Sequence, residues 1–156
     1  MSGEIEARLA QLGIALPTPP TAVANYVPFI LAGDLLFISG QISKATDGTL
    51  VAGQLGAGVS IETGVAAARI CALNILAQAK SALGELDRIA QVVRVTGFVN
   101  AVPGFASHPQ VVNGASDLFV EVLGDKGRHT RAAVGASGLP MNATVEVDAI
   151  LRVTKA

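Results

Sequence analysis

Apolar residues recur at intervals of three and four in three stretches of the chain, which is the spacing of one face of an α-helix. This spacing predicts helices over residues 4–12, 61–83 and 111–123. Prolines between residues 17 and 20 prevent the first helix from continuing. Ser60 or Thr63 would cap the second helix, and Gly84 and Gly124 are typical of the position just after a helix ends.

Other stretches are short apolar runs or alternate apolar with polar residues, which indicates β-strands. The pattern predicts strands over residues 27–32, 35–39, 89–101, 130–136 and 143–153. Gly33 and Asp34 separate the first two strands, as in a tight antiparallel hairpin. The glycine-rich residues 41–58 and residues 103–109 are predicted to be loops.

The order of these elements is strand, strand, helix, strand, helix, strand, strand. This order predicts an α+β fold in which a mixed sheet carries both long helices on one face. We expect one domain over residues 1–156, with residues 1–20 as a helical lead-in.

The two faces of the predicted sheet differ in polarity. In the strand at 89–101, the face expected to meet the helices carries Val93, Val95, Gly97 and Val99. The opposite face includes Phe98 and Ile150, which are too apolar for a surface left in water. Of the 156 residues 51% are hydrophobic and only 15% are charged. We therefore expect oligomerisation to cover this face.

Charge and cysteine content narrow the classes of partner and location. The formal net charge is −1 and no run of lysine or arginine is present, which argues against binding to nucleic-acid phosphates. Cys71 is the single cysteine, so no intrachain disulfide can form, and we expect a buried thiol. Neither a signal sequence nor an apolar run long enough for a bilayer is evident, so we predict a cytoplasmic protein without a membrane partner.

The end of the chain carries the strongest candidate chemistry. Arg131 stands in the strand before the Leu139-Pro140 turn, and Glu146 stands in the strand after it. We expect the two strands to be neighbours, so that arginine and carboxylate line one ligand pocket. A guanidinium holds a carboxylate through two parallel hydrogen bonds, which favours a small organic acid as the ligand. The alternative is a structural ion pair between two strands.

Several motifs together resemble the RidA (YjgF) family. They are Ser39-Gly40-Gln41 after an apolar strand, Leu86-Asp87 before Val92-Val93, Asn113 at the start of the last long helix, Arg131-Ala132-Ala133-Val134, Leu139-Pro140 and Val145-Glu146-Val147. Each is weak alone, but their order and spacing are specific. The resemblance covers residues 26–154.

The resemblance implies a homotrimer of chorismate-mutase-like subunits with a site at each interface. In members with deaminase activity, this site hydrolyses enamines and imines such as 2-aminoacrylate to 2-keto acids and ammonia. The resemblance implies that Arg131 binds the substrate carboxylate and that Glu146 lies near the attacking water. It also implies that Tyr26 supplies a hydroxyl, that Ser39 and Asn113 support the site, and that no metal or organic cofactor is used.

Departures from the family pattern leave alternatives open. Many deaminating members have proline where this chain has Ser43 and cysteine where it has Ala133. A non-catalytic trimer that binds a small carboxylate is therefore the second hypothesis, and an endoribonuclease is the third.

Individual site residues also have structural interpretations. Ser39 could end a strand, Tyr26 could pack at a rim, and Asn113 could cap a helix. His129 could border the cleft. With only two histidines and no acidic cluster, we expect no metal site.

Overall fold

The computed structural model describes residues 3–156. In chain order its elements are α1 (Glu4–Gln11), β1 (Phe29–Ala32), β2 (Leu35–Ile42), β3 (Gln54–Leu55), β4 (Gly58–Val59), α2 (Ile61–Leu83), β5 (Ile89–Asn100), α3 (His108–Leu123), β6 (Thr130–Ala136) and β7 (Val145–Val153). Single 3-10 turns follow α2, α3 and β6. The three predicted helices and five predicted strands are all present, with two further strands of two residues each.

Five strands form one mixed sheet in the order β1-β2-β7-β5-β6. Strands β5 and β6 are parallel, and the other neighbours are antiparallel. The hairpin prediction is confirmed, because Ala32 pairs with Leu35 across a turn in which Gly33 has a positive φ of 64°. Helix α3 connects β5 to β6, and a parallel pair needs such a crossover.

Helices α2 and α3 pack on the same face of this sheet, as predicted. Strand residues on that face, including Val95 and Leu151, are fully buried. Gly97 allows close approach of α3, since a Cβ atom there would lie 2.5 Å from a methyl carbon of Val112. Inward-facing apolar side chains on sheet and helices thus make one continuous core.

Helix α1 receives its N-terminal cap from a distant residue. Gly3 precedes the helix and has no side chain to cap it. Instead, the carboxylate of Asp87 accepts hydrogen bonds from the backbone N–H groups of Glu4 (2.7 Å) and Ile5 (2.8 Å). These bonds satisfy two free donors of the helix end and place a negative charge at the positive end of its dipole. The cap fastens the lead-in helix to the turn before β5.

Some predicted boundaries and faces were wrong. A bulge between Val92 and Arg94 turns Val92, instead of Val93, into the core.

Helix α3 begins at His108, three residues before the predicted start, because Pro109 is tolerated in a first turn. Residues 41–58 are only partly loop: β2 continues to Ile42, and Leu55 lies in β3 and is buried. The last strand starts two residues later than predicted.

The sheet face away from the helices carries a band of apolar side chains, the apolar sheet face. It comprises Ile30, Phe37, Phe98, Val134 and Ile150, which the strand register places on one side. Ile30 is 58% exposed and Val134 is 42% exposed. No helix within residues 3–156 has the length and apolar character to cross a membrane.

Candidate functional site

Arg131 lies on the helix-facing side of β6, where it pairs with the buried Val95. Its Nη1 donates hydrogen bonds to Asn113 Oδ1 (2.8 Å) and Ser116 Oγ (3.0 Å), both on α3. Its Nη2 donates to the carbonyl of Pro109 at 3.3 Å. Because α3 begins at His108, Asn113 lies inside the helix, so it is not a helix cap but a partner of the arginine.

No carboxylate among residues 3–156 forms an ion pair with Arg131. The three ion pairs in this part of the chain join Arg69 to Glu121, Lys80 to Glu6 and Arg128 to Asp125. Neutral oxygens therefore orient the guanidinium without neutralising it. A cation held in this way retains donors and charge for an anionic ligand.

A histidine extends this group of side chains. The Nδ1 of His129 lies 2.6 Å from the carbonyl oxygen of Gly127, so Nδ1 carries the proton. Its Nε2 then accepts from Ser116 Oγ at 2.9 Å. Burial lowers the pKa of His129, and the charge of Arg131 adds to this effect, which keeps the ring neutral. We call Arg131, Asn113, Ser116 and His129 the Arg131 cluster.

Ser116 was absent from the sequence prediction. Asn113 and Ser116 are three residues apart in α3, a spacing that places two side chains on the same side of a helix. That spacing was the available sequence signal once Asn113 had been singled out. The sequence did not show that β6 would present Arg131 to this side of α3.

Glu146 lies on the other side of the sheet. It pairs with Ile42 on β2 and Phe98 on β5. Its carboxylate lies against Gly40, so a side chain at position 40 would displace it. Burial raises the pKa of Glu146, and the neighbouring Asp148 raises it further. A carboxyl group with a raised pKa is suited to accept and return a proton near neutral pH.

A cleft of about 760 Å³ opens beside Glu146, and we call it the Glu146 cleft. Tyr26 and Met141 line it and are exposed, while Asn74 and Gln78 of α2 line it and are buried. Residues 17–23 form another part of its wall. The volume is within the range of small-molecule sites.

Ser39 lies within β2, one residue before Gly40, and is not itself among the residues that line the cleft. Its hydroxyl donates to the carbonyl of Val27 at 2.7 Å, and its N–H donates to the carbonyl of Pro28 at 2.9 Å. The interpretation that Ser39 ends a strand is wrong, since β2 runs on to Ile42. Ser39 instead holds the segment that follows Tyr26 against the sheet.

The expected pairing of Arg131 with Glu146 is wrong for a single chain. Strand β5 lies between β6 and β7, so the two residues are not on neighbouring strands. They also face opposite sides of the sheet, because Arg131 pairs with Val95 and Glu146 pairs with Phe98, three residues further along β5. A structural ion pair between them within one chain is therefore excluded.

Cys71 and the histidines offer no further catalytic site among the described residues. Cys71 is fully buried, which raises the pKa of its thiol well above the ordinary value. His108 packs edge-on against Phe105, with ring centres 5.1 Å apart. Within residues 3–156, no group of three or more His, Cys, Asp or Glu side chains is arranged to hold a metal ion.

Comparison with known proteins gives consistent matches over nearly the whole chain. Residues 6–151 match the family described as "YjgF/chorismate_mutase-like, putative endoribonuclease". Protein TCP17 of Trypanosoma cruzi is 46% identical over 151 residues, which are 96% of this chain and 94% of that protein.

Two solved structures are also similar. Protein Atu1372 of Agrobacterium tumefaciens is 48% identical with a TM-score of 0.89, covering 96% of this chain and 92% of that one. A protein of Shewanella oneidensis described as a "putative endoribonuclease" is 38% identical with a TM-score of 0.92, covering 97% and 100% of the two chains. The likeness therefore includes the lead-in helix as well as the sheet.

Proposed function

Because this chain belongs to the YjgF/chorismate-mutase-like family, we propose that it is a cytoplasmic homotrimeric deaminase. It hydrolyses imines and enamines such as 2-aminoacrylate to 2-keto acids and ammonia in clefts between subunits. The observation that carries the proposal is an arginine without a carboxylate partner on one sheet face and a carboxyl with a raised pKa on the other.

A site made from both residues needs two subunits. Within one chain the sheet separates Arg131 from Glu146, so one small substrate cannot contact both. Packing between copies through the apolar sheet face would cover its exposed side chains. It would also set the Arg131 cluster of one subunit opposite the Glu146 cleft of the next.

The chemistry requires few groups, because the imine carbon is already electrophilic. Arg131 binds the substrate carboxylate, and Asn113 and Ser116 hold the guanidinium in place. Glu146 accepts a proton from water as the oxygen attacks the imine carbon, and it passes this proton to the nitrogen to give a carbinolamine. Glu146 then takes the proton of the new hydroxyl and delivers it to the nitrogen as the carbon–nitrogen bond breaks, which yields the 2-keto acid and ammonia. An enamine enters the same sequence after protonation at C3.

Product release from freshly generated 2-aminoacrylate tests the proposal. We expect the protein to accelerate formation of ammonia and pyruvate, and Arg131→Ala to remove most of that acceleration. Lys155→Ala is the control for loss of a positive charge, because Lys155 is exposed and lies after the last strand of the sheet. Binding of 2-keto acids without any acceleration would instead support a non-catalytic carboxylate-binding protein.

RNA hydrolysis is the alternative activity, because the Shewanella oneidensis relative carries that description. The net charge of −1 argues against it. Nuclease-free protein incubated with labelled RNA provides the test. Cleavage that disappears in both Arg131→Ala and Glu146→Gln would replace the deaminase proposal.

A further inference from the structure

Three amide side chains line the Glu146 cleft on its buried side. Asn74 and Gln78 are four residues apart on α2, so they lie one turn apart on the same side of that helix. Gln41 reaches the cleft from β2. The exposed fractions of Gln78, Asn74 and Gln41 are 1%, 4% and 6%.

Each amide uses its nitrogen to hold the main chain. Asn74 Nδ2 donates to the carbonyls of Ile42 (3.2 Å) and Lys44 (3.0 Å). Gln78 Nε2 donates to Pro20 O at 2.8 Å, and Gln41 Nε2 donates to Ser39 O at 2.9 Å. Because every partner is a carbonyl oxygen, the nitrogen of each amide must face it and the amide oxygen must face elsewhere.

The three amide oxygens receive no hydrogen bond from residues 3–156. Within that part of the chain, the unpaired side-chain polar atoms that are also sealed from solvent are Glu6 Oε2 and Asn100 Oδ1. The oxygens of Gln41, Asn74 and Gln78 are therefore open, and the space that their residues line is the cleft. A hydrogen-bond donor on a ligand that reaches this side of the cleft can therefore bind to these amide oxygens.

From this arrangement we infer that the Glu146 cleft selects 2-imino acids whose side chain is large and ends in a hydrogen-bond donor. The inference rests on the proposed deaminase function. The reacting imine lies at the end of the cleft with Glu146 and Tyr26, and the side chain extends towards Asn74 and Gln78. A volume of about 760 Å³ is far larger than the single methylene carbon of 2-aminoacrylate needs. Residues 17–23 form the wall that encloses the side chain.

The free amide oxygens can discriminate between substrates of nearly equal size, because they favour the one that carries a hydrogen-bond donor. A site built to bond a substrate hydroxyl discriminates against the analogue that lacks it, because the buried acceptors then lose water without gaining a partner. The phenyl and 4-hydroxyphenyl members of the 2-imino-3-arylpropanoates form a rigid matched pair that differs by this hydroxyl alone. Both can be generated in place from phenylalanine and tyrosine with an amino-acid oxidase.

The first measurement compares kcat/KM for hydrolysis of these two imines by the wild-type protein. We expect the 4-hydroxyphenyl imine to be preferred by about tenfold, the ratio that corresponds to ~1.4 kcal/mol. A ratio of one, or a preference for the phenyl imine, would overturn the inference. This comparison depends on no variant.

Gln78→Met then tests the residue, because methionine keeps the length of the side chain but removes its amide. The ratio between the two imines should fall towards one, whatever happens to kcat. A loss of structure would lower both rates without changing their ratio. Gln11→Met, a replacement at an exposed position of α1, should keep the wild-type ratio. An unchanged ratio in Gln78→Met would remove Gln78 from the inference.

Binding of the products separates failure of this inference from failure of the proposed function. Calorimetry with phenylpyruvate and 4-hydroxyphenylpyruvate requires no turnover. Tighter binding of the hydroxylated keto acid without imine hydrolysis would support the acceptor site and refute the proposed deaminase function. Hydrolysis of 2-aminoacrylate with equal binding of both keto acids would support the deaminase and refute the acceptor site. Binding of neither keto acid would refute the acceptor site as well.

Discussion

Arg131 and Glu146 lie on opposite faces of one sheet, on strands that β5 separates. The two groups most suited to imino-acid chemistry therefore never meet within a chain. Each group nevertheless has an environment suited to a functional role. Neutral oxygens orient the Arg131 guanidinium, and burial raises the pKa of the Glu146 carboxyl. In the homotrimer proposed above, a ring of identical subunits would bring the two groups together at each interface.

Subunit mixing tests this arrangement directly. Arg131→Ala and Glu146→Gln should each be inactive as pure proteins. When they are unfolded together in equal amounts and refolded, about a quarter of the interfaces should combine an intact arginine with an intact glutamate, because each site draws from two neighbours. We expect roughly a quarter of the wild-type rate of 2-aminoacrylate hydrolysis.

The control for mixing is each variant refolded alone, which should stay inactive. Wild type refolded by the same procedure gives the reference rate. If one subunit supplied both residues, every site in the mixture would lack one of them. Continued inactivity of properly assembled mixtures would therefore show that the shared site is wrong.

Ser116→Ala should weaken the binding of the substrate carboxylate by Arg131. The change removes one of the hydrogen bonds to Arg131 and the link to His129. We expect KM to rise by about five- to tenfold with kcat nearly unchanged, since a binding group is mispositioned and the proton-transfer group is untouched. Ser107→Ala is the matched control, as the Ser107 side chain caps nothing at the start of α3. A fall in kcat at constant KM would contradict this role.

The pH profile should reveal Glu146. Its pKa is raised by burial and by Asp148, and as a proton acceptor it must be ionised. The rate should therefore fall as pH decreases through a value above the ordinary pKa of a glutamate. Steady-state rates across the acid range measure this limb. Asp148→Asn should move it to lower pH by removing a like charge, and a limb that stays in place would argue against Glu146 as its origin.

Val134→Asp should disrupt assembly. Val134 lies on the apolar sheet face next to Phe98 and is 42% exposed in the isolated chain. Burying a carboxylate there without a partner would cost several kcal/mol at each interface. Light scattering should show a smaller species, while Ala10→Asp, at an exposed position of α1 on the helix side of the sheet, should leave the mass unchanged. A trimer that tolerates Val134→Asp would place the interface elsewhere.

Asp87→Asn should destabilise the protein by about 1 kcal/mol, the usual contribution of a helix cap with its charge. The backbone N–H groups of Ile5 and Glu4 lower the pKa of Asp87. A lowered folded-state pKa gives stability that is present above the unfolded-state pKa and is lost as pH falls through the folded-state value. The difference between wild type and variant in urea unfolding should therefore be largest at neutral pH and shrink in acid.

Glu85→Gln provides the comparison for the cap, because Glu85 is exposed and its side chain caps nothing. It should behave as wild type at every pH. An Asp87→Asn effect that persisted unchanged in acid would show that the carboxylate charge is not responsible.

The helices and strands could be predicted because their residues repeat with the periods of those structures. The α2 pattern gave both ends, since Ser60 accepts a hydrogen bond from Thr63 and Gly84 takes a positive φ of 78°. Val93 was misplaced because a bulge adds a residue without any mark in the alternation. The family could also be recognised, because several short motifs occur in order along the chain.

The candidate site could be predicted only as a set of residues, not as an arrangement. Arg131 and Glu146 stand on strands that are consecutive in the sequence and are joined by the Leu139-Pro140 turn, which suggested that the two strands pair. The crossover through α3 instead placed β6 beside β5, and sequence order cannot reveal such a choice of neighbour. Ser116 and the cap at Asp87 were missed for the same reason, since each contacts residues far away in the chain.

The amino-acid sequence by itself determined which segments are helices or strands, which faces are apolar and which family the chain resembles, because local periodicity and short motifs carry that information. Only the tertiary structure decided that Arg131 and Glu146 face opposite ways and that Gln41, Asn74 and Gln78 line one cleft. These features depend on strand order and on contacts between distant residues. Such contacts arise when the whole core packs at once, so no single segment encodes them.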